Sequence, residues 1–287
     1  MKRNLLTEIE ERMSTFSKSQ KLISRYILEN YDKAAYMTAS RLGAIVKVSE
    51  STVVRFAIEL GFEGYPEFQH ALREIVRIKL TSFQRMEVTN HLIGDGDILN
   101  KVLLSDSDKI KQTLEEIDRE AFEQAVENIV SARNIYVMGL RSSSMLAGFL
   151  AHGLQMIFDN VRLVQGSSGS ELFEQMMNMG EGDVMIAISF PRYSKKSINA
   201  ASFAVHAGAD VIAVTDSAQS PIGALADQLL VAKSDMASFV DSLVAPLSLL
   251  NAIIVAVSRK KQDELTVRLR QLEQIWDEYD VYDKNQG

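Results

Sequence analysis

The stretch from Thr38 to Phe62 constrains the fold of this chain more than any other. Its sequence predicts a helix from Thr38 to about Val46, a turn at Lys47-Val48, and a second helix that Ser49 opens with a hydroxyl suited to capping. An apolar face at helical spacing runs along the second helix and consists of Val53, Phe56, Ala57 and Leu60. Two short helices joined by a tight turn form a helix-turn-helix.

The other face of the second helix carries Ser51, Thr52 and Arg55 near the helix N-terminus. A helix that enters the major groove needs short polar side chains there, and an arginine can contact a phosphate or a guanine edge. The alternative is a helical cap that packs on another domain. We predict a double-stranded DNA operator as the partner because the turn, the capping serine and the arginine agree.

The composition limits the class of protein. The chain has no cysteine, which excludes a disulfide framework, a thiol nucleophile and a cysteine zinc finger. The N-terminal sequence MKRNLLTEIEERM lacks the continuous apolar run of a signal peptide, so we expect a cytoplasmic protein. With 287 residues, 46% of them hydrophobic, the chain is long enough for two domains.

The net charge of -7 is unevenly distributed. Residues 1–80 contain 13 Lys and Arg against 10 Asp and Glu, whereas residues 81–287 contain 18 against 28. The slightly basic part coincides with the predicted helix-turn-helix. A basic module on an acidic body suits contact with phosphates through one face.

Periodicity and turn signals predict the domain boundaries. We expect a DNA-binding domain at 1–78, a linker and connecting helix at 79–109, and a second domain at 110–287. In the first domain we predict helices from Leu5 to about Met13 and from Ser17 to Asn30, the latter with Leu22 on its apolar side, and, after a Tyr65-Pro66 turn, a helix to about Lys79. Little periodicity in 80–96 places the linker around Thr89 to Asp97, and helical spacing returns at 98–117 and 121–130.

The second domain alternates short β-prone runs with helical sequence. The runs are NIYVMG at 134, VRLV at 161, DVMIAIS at 183, DVIAVTD at 210 and QLLVA at 228. Each of the first four precedes helical sequence, which predicts an α/β fold with a five-stranded parallel sheet covered on both faces. Ligands of such sheets bind beyond the C-terminal ends of the strands.

Two of those strand ends lead into loops rich in hydroxyls and arginine. The first strand runs into GLRSSSML and the third into SFPRYSKKS. Serine hydroxyls, helix N–H groups and guanidinium groups suit a small anion. The alternative is that the serines only cap helices. The predicted ligand residues in these loops are Arg141, Ser142, Ser143, Ser189, Arg192 and Ser194.

Three further residues are of types that carry chemistry. Glu171, in the first turn of a helix after Ser170, either accepts hydrogen bonds from sugar hydroxyls or complements the helix dipole. His152 and His206 lie in helical sequence with no partner at metal-ligand spacing. We therefore predict neither a metal nor a cofactor.

The sequence VSESTVVRFAIELGFEGYPEF resembles the helix-turn-helix of RpiR-type bacterial transcription regulators, and the resemblance covers residues 1 to about 78. It implies that Ser51, Thr52 and Arg55 contact DNA and that Ser49 is the cap. Lys47 stands where the family usually has a glycine in the turn, and its charge suits a phosphate.

Residues 110 to about 260 resemble the SIS (sugar isomerase) domain that follows in RpiR-type regulators, which implies a three-layer αβα domain around a sugar phosphate. Ser142 and Ser143 match the first ligand loop of that family, and Ser189 and Ser194 match the second. The chain departs from the family pattern at three positions. Arg141 and Arg192 each replace a glycine, and Pro191 replaces a serine.

In the C-terminal part, the sequence predicts a helix that lies either in the core or in a subunit interface. An amphipathic tail follows it. Asp241, Pro246 and Asn251 argue against a membrane span in the apolar run 239–259. In the tail 262–279, one stripe at helical spacing consists of Leu265, Leu269, Leu272 and Trp276. We hypothesise a homodimer or homotetramer built on this region.

These features together predict a transcriptional regulator whose operator affinity is set by a small anionic metabolite, a sugar phosphate or related sugar acid. The alternative is a SIS-domain sugar-phosphate isomerase with a helical interaction module. Isomerisation needs a general base, and apart from Glu171 we find no carboxylate or histidine near either loop. We therefore predict that the protein is not an enzyme.

Overall fold

The computed structural model of the protein describes residues 5–93, 96–166, 168–235 and 239–282. The chain divides into two compact units, Met1–Gly96 with Met236–Val240 and Asp97–Asp235 with Asp241–Gly287. Each unit has its own hydrophobic core.

The first unit is all helical. Its elements are α1 (Leu5–Glu11) with a 3-10 turn at Arg12–Ser14, α2 (Lys18–Glu29), α3 (Tyr31–Ala34), α4 (Ala39–Val46), α5 (Glu50–Glu59), α6 (Tyr65–Lys79) and α7 (Ser82–Ile93). Phe56 of α5 lies at the centre of the core, with its ring edge-on to Phe16 at 5.4 Å and to Phe68 at 6.0 Å between centroids. Burial of large aromatic rings dominates the stability of a core this small.

Three local predictions in this unit are wrong. α1 ends at Glu11, and the residues to Ser14 form a tighter 3-10 turn. Leu22 is 42% exposed, although it was expected on the apolar side of α2. Tyr65 and Pro66 begin α6 instead of forming a separate turn; proline fits the first helical turn because its missing N–H has no partner there.

α7 occupies sequence in which we saw little periodicity and placed part of the linker. Its start is held by a reciprocal pair of hydrogen bonds: Gln84 N donates to Thr81 Oγ1 (3.3 Å) and Thr81 N donates to Gln84 Oε1 (3.0 Å). A threonine followed three residues later by glutamine is a capping box. This short-range signal was present in the sequence. Residues 94–95 of the expected linker lie outside the described residues.

The second unit is the expected α/β domain. Its helices are α8 (Ile98–Glu116), α9 (Arg119–Ser131), α10 (Ser143–Gln155), α11 (Gly169–Met176), α12 (Lys195–Ala207), α13 (Val244–Lys260) and α14 (Gln262–Glu278). Its strands are β1 (Ile135–Gly139), β2 (Val161–Val164), β3 (Val184–Ile188), β4 (Asp210–Thr215) and β5 (Gln228–Val231). All pairings are parallel, in the order β2-β1-β3-β4-β5, which confirms the predicted fold class.

The sheet is covered on both faces, which gives three layers. On one face, α9, α10 and α13 pack against side chains such as Val137, Ile186 and Val214. On the other, α11 and α12 pack against Met185, Ala187 and Val211. Strands buried on both sides are continuous apolar runs, as β1 and β3 are.

The connection after β4 is not the helix that its Ala/Leu spacing predicted. Only Gly223–Leu225 form a 3-10 turn before β5. Asp227 anchors the return because its Oδ2 accepts from Val211 N at 2.8 Å and its own N–H donates to Val211 O at 2.9 Å. A longer helix would carry the chain past this contact.

The two C-terminal helices differ in burial. α13 is a core helix whose buried residues are Ala245, Pro246, Leu249, Leu250, Ile253 and Val257. α14 has no buried residue, and of its predicted stripe Leu269 is exposed while Leu265, Leu272 and Trp276 are half-buried. Across the described residues, no helix combines the length and apolar content that crossing a membrane demands.

Candidate functional site

The turn of the helix-turn-helix depends on two backbone positions. Lys47 ends α4 in the left-handed conformation, with φ 58° and ψ 46°. The chain then folds back so closely that a Cβ on Gly43 would lie 2.8 Å from Val48 O. Gly43 is therefore required at this turn, a role that we did not assign from the sequence. A lysine at a positive φ carries strain of about 1 kcal/mol.

Three hydroxyls lie together at the N-terminus of α5. Ser49 Oγ accepts from Thr52 N at 3.3 Å, and it lies 2.9 Å from Ser51 Oγ and 2.8 Å from Thr52 Oγ1. Arg55 is exposed one turn later, and its Nε donates to Ser51 O at 3.3 Å. The structure therefore brings four of the five predicted DNA contacts onto the first two turns of one helix, beside the exposed Lys47 in the turn.

The C-terminus of α5 is held by a residue that we missed. Arg12 Nη2 donates to Glu59 O at 3.0 Å, and the same guanidinium lies 5.6 Å from the centre of the Phe16 ring. A cation at a helix C-terminus also complements the helix dipole. Arg12 and Glu59 are 47 positions apart, so no local pattern reveals the contact.

In the second unit, the two hydroxyl-rich loops leave neighbouring strands. Gly139 at the end of β1 pairs with Ile188 at the end of β3. From there the chain enters α10 on one face of the sheet and α12 on the other. A crevice opens at such a switch point, beyond the C-terminal ends of the strands, and this is where ligands of doubly wound sheets bind.

Both loops place an arginine in the left-handed region. Arg141 has φ 58° and Arg192 has φ 57°, and both residues are exposed. These are the positions at which the resemblance to the SIS domain places glycine. The loops therefore keep a backbone that glycine adopts without strain, at a cost of about 1 kcal/mol per arginine.

The serines of the two loops do not all play the same part. Ser142 and Ser194 are the N-cap residues of α10 and α12, yet neither hydroxyl makes a capping hydrogen bond in the described structure. Ser143 and Ser189 are buried. Capping therefore does not occupy the hydroxyls of Ser142 and Ser194, which contradicts the alternative that they only cap.

Glu171 is part of a capping box at the start of α11. Ser168 Oγ accepts from Glu171 N at 3.2 Å, and Glu171 Oε2 accepts from Ser168 N at 3.3 Å. The N-cap is thus Ser168, two residues before the Ser170 that we expected. One carboxylate oxygen serves the helix start, as a first-turn acid commonly does.

A second carboxylate lies beside the loop after β3, contrary to our prediction that Glu171 is alone. Tyr193 Oη donates to Asp216 Oδ1 at 2.8 Å and thereby ties this loop to the end of β4. Thr215 Oγ1 donates to the same oxygen at 3.2 Å. The strand order brings these residues together across 23 positions of sequence, which a motif search does not detect.

The hydrogen bond of His206 lies within its own helix. His206 Nδ1 lies 2.6 Å from Ser202 O of its own helix. Among the described residues, no group of three or more His, Asp or Glu side chains is arranged to hold a metal ion.

Comparison with protein families supports both resemblances. The model of the rpiR-family helix-turn-helix domain matches residues 3–77, and the SIS domain model matches residues 128–256. An uncharacterised HTH-type transcriptional regulator of Caldanaerobacter subterraneus subsp. tengcongensis is 24% identical over 282 residues, covering 95% of this chain and 96% of that relative.

Solved structures share the fold. The NanR protein of Vibrio vulnificus, complexed with ManNAc-6P, has a TM-score of 0.60 at 24% identity and covers 96% of this chain and 99% of its own. The sugar isomerase domain of an RpiR transcription factor from Sphaerobacter thermophilus has a TM-score of 0.58 at 28% identity and covers 61% of this chain and 97% of its own. With both domain models matched in order along the chain, this protein belongs to the RpiR family of transcriptional regulators, with an N-terminal helix-turn-helix domain and a C-terminal SIS domain.

Proposed function

We propose that this regulator binds its operator through α5 and that a small anionic sugar metabolite, held between the loops after β1 and β3, sets the operator affinity. The observation that carries the proposal is the pairing of the two loops. Each leaves one of two neighbouring strands, and each has an N-cap serine without a capping bond and an exposed arginine.

At the DNA, the exposed polar side chains of α5 would contact the major groove. Ser51, Thr52 and Arg55 face away from the core, where Val53 and Phe56 are buried. Arg55 suits a guanine edge or a phosphate, and Lys47 and Ser49 in the turn suit phosphates. This arrangement supports a bound operator more than a buried helix because Ser51 and Arg55 are exposed and Thr52 is only half-buried.

In the crevice, the ligand class is a sugar phosphate or a related sugar acid. Ser142, Ser143, Ser189 and Ser194 offer hydroxyls, and Arg141 and Arg192 offer charge. The Glu171 carboxylate, at the start of α11, is of a type that accepts hydrogen bonds from sugar hydroxyls. The ManNAc-6P bound by the NanR protein, which shares this fold, supports a phosphorylated sugar.

A sugar-phosphate isomerase is the second candidate because Asp216 lies beside the crevice. A general base must reach the substrate carbon-bound proton, whereas Asp216 is buried and accepts from Tyr193 and Thr215. We therefore favour a regulator without turnover. Incubation of the purified protein with aldose and ketose phosphates tests this directly: interconversion that is lost in Asp216→Asn would establish the enzyme.

We further propose that the second unit associates with a second copy of the chain through α8. One stripe of this helix is apolar and exposed, with Leu99 at 71%, Leu103 at 58% and Leu114 at 60%. The side next to this stripe is fixed to its own domain, where Lys109 and Thr113 are buried and Thr113 Oγ1 accepts from Lys233 N at 2.9 Å. Exposed apolar stripes of this kind mark protein interfaces, and a dimer presents two recognition helices to a palindromic operator.

The DNA contact is tested by comparing the Arg55→Ala variant with the wild-type protein. Each is titrated against DNA from upstream of the regulator's own gene. We expect affinity to fall about tenfold or more, and the slope of log affinity against log salt to decrease by about one phosphate if Arg55 meets the backbone. Arg25→Ala, which removes an exposed charge from α2, is the matched control and should leave binding unchanged. Equal losses in both variants would remove Arg55 from the interface.

The ligand site is tested by thermal shift with a panel of sugar phosphates, followed by operator titration with the best ligand. A ligand that prefers the native state raises the melting temperature. Ser142→Ala should weaken the ligand's effect on operator binding while binding without ligand stays intact. Ser131→Ala, on the distant end of α9, is the control. An unchanged response in Ser142→Ala would exclude that hydroxyl.

A further inference from the structure

Ile58 is a large apolar side chain on the polar face of α5. It is 52% exposed, whereas Val53 and Phe56 of the same helix are buried. Ser51, Arg55 and Ile58 stand at i, i+4 and i+7 and therefore share one face of the helix. At 3.6 residues per turn, Ile58 lies within about 60° of the other two around the helix axis. The face that we propose for the operator thus continues beyond Arg55, where our predicted DNA contacts ended, and it ends on an apolar residue.

This face has the spacing with which recognition helices read base pairs. Homeodomains read the major groove with side chains at i, i+3, i+4 and i+7 of one helix. In α5 these positions hold Ser51, Val54, Arg55 and Ile58. From Ser51 to Ile58 the helix rises about 10 Å, close to three base-pair steps of about 3.4 Å each. Val54 is half-buried and packs against the core of the unit, so Ile58 is the exposed apolar member of the set.

The acid that follows Ile58 is held by other elements of its own unit. Gln20 Nε2 of α2 donates to Glu59 Oε2, and Arg12 Nη2 lies 4.0 Å from Glu59 Oε1. A carboxylate that faced the groove would repel phosphates or accept from a cytosine amino group. Because Gln20 and Arg12 engage this carboxylate, we assign the base contact of the third helical turn to Ile58.

The side chain of an isoleucine matches one chemical group in the major groove. The base edges there present hydrogen-bond donors and acceptors, and the C5-methyl group of thymine is the apolar exception. Isoleucine forms no hydrogen bond, so packing it on a polar edge would remove that edge from water without replacing its partners. When isoleucine packs on thymine, two apolar surfaces leave water together, which is favourable.

We propose that Ile58 packs on the C5-methyl group of an operator thymine and thereby specifies a T·A pair beside the position that Arg55 meets. This inference rests on the proposed function, because α5 must first enter the major groove. It adds a sequence preference that the polar side chains of α5 do not supply by themselves. Serine and threonine hydroxyls hydrogen-bond with several bases, and a phosphate contact carries no sequence information.

The test removes the methyl group from the DNA and the side chain from the protein. Binding sites are selected from a random duplex library with the full-length protein, and each thymine of the selected site is then replaced by deoxyuridine, which lacks only the C5-methyl group. We expect one such replacement in each half-site to weaken wild-type binding about fourfold, the contribution of one buried methyl group. In Ile58→Ala the same replacement should change the affinity less than about twofold.

A complementary operator places the methyl group in a different base pair. With 5-methylcytosine paired to guanine at the same position, wild-type protein should bind about fourfold more tightly than with cytosine, and Ile58→Ala should not distinguish the two. The matched control is Leu22→Ala, which truncates an exposed leucine of α2 and should keep the full response to deoxyuridine.

The folding of the variant is checked separately. Ile58 is 52% exposed, so its truncation should leave the melting temperature within about 3 °C of the wild-type value. A lost response to deoxyuridine in a variant that melts normally then reports the contact and not unfolding.

Different results overturn this inference and the proposed function. If no deoxyuridine replacement weakens the wild-type complex, or if the replacement weakens the Ile58→Ala complex equally, Ile58 does not read a thymine, and operator binding through α5 stands. If the random library yields no enriched sequence, operator binding itself is wrong.

Discussion

Asp183, at the start of β3, is a fully buried carboxylate with four donors. Arg133 donates from Nε (2.8 Å) and Nη2 (2.7 Å), Asn134 from Nδ2 (2.9 Å), and Gly180 from its backbone N–H (2.9 Å). Burial alone would raise the pKa of Asp183, but the hydrogen bonds from Arg133, Asn134 and Gly180 hold that pKa below its ordinary value. The charged form is therefore part of the native state.

We expect Asp183→Asn to lower the free energy of unfolding by about 1–3 kcal/mol at pH 7, because the amide replaces one buried acceptor oxygen with a donor that faces the donors of Arg133, Asn134 and Gly180. The folded-state pKa is depressed, so the stabilisation is present above the unfolded pKa of about 4 and is lost as pH falls through the folded value. Urea unfolding at pH 7 and below pH 4 measures both effects.

The control for this prediction is Asp159→Asn, which removes a largely exposed partner of Arg268. Exposed pairs contribute little, so its stability should change by less than about 1 kcal/mol. An Asp183→Asn variant as stable as wild type at neutral pH would show that the four donors find other partners.

At the scale of elements, α5 is fixed at both ends by side chains. Ser49 caps its N-terminus from within the turn, and Arg12, from outside the motif, donates to the carbonyl of Glu59, the last residue of the helix. The middle is held by Phe56 between two other rings. A recognition helix anchored in this way is held in one orientation before it meets DNA. Binding then loses less free energy to ordering the helix.

Arg12→Met keeps an apolar side chain at this position but removes the guanidinium that lies over Phe16 and donates to Glu59 O. We expect a loss of about 1 kcal/mol in stability and a modest loss of operator affinity. Arg12 would act as a positioning residue, so the salt slope should match that of wild type, unlike the slope of Arg55→Ala. A reduced slope in Arg12→Met would instead mean that Arg12 contacts DNA itself.

At the scale of the whole molecule, the exposed apolar stripe of α8 is a feature that the described fold does not explain. Leu99, Leu103 and Leu114 lie on it at helical spacing, together with Ile110. A second copy of the chain would cover it and would also bring two helix-turn-helix units into one assembly.

The paired substitution Leu99→Glu with Leu103→Glu should convert the protein to a monomer in sedimentation experiments, because it places four charges in a two-fold interface. Binding to an operator with two half-sites should weaken, whereas binding to a single half-site should not. Leu22→Glu alters another exposed leucine, in α2, and should leave the assembly intact. A wild-type protein that sediments as a monomer at tens of micromolar would contradict the interface.

Periodicity predicted the elements well and their contacts poorly. All five strands and the two helices of the helix-turn-helix lie where hydrophobic spacing placed them. The start of α7 was not predicted, although Thr81 and Gln84 form a capping box. Periodicity does not reveal this helix because its residues have little apolar spacing. The helix expected after β4 was wrong because Asp227 returns the chain to the sheet.

The sequence by itself determined the domain order, the family and the α/β class, because these follow from patterns that repeat within a few residues. Only the tertiary structure decided that Ser168 caps a helix while Ser142 and Ser194 do not, that Tyr193 meets Asp216, and that Arg12 reaches Glu59. These contacts depend on which residue from a distant part of the sequence lies beside each side chain. Chain topology, not local sequence spacing, determines that neighbour.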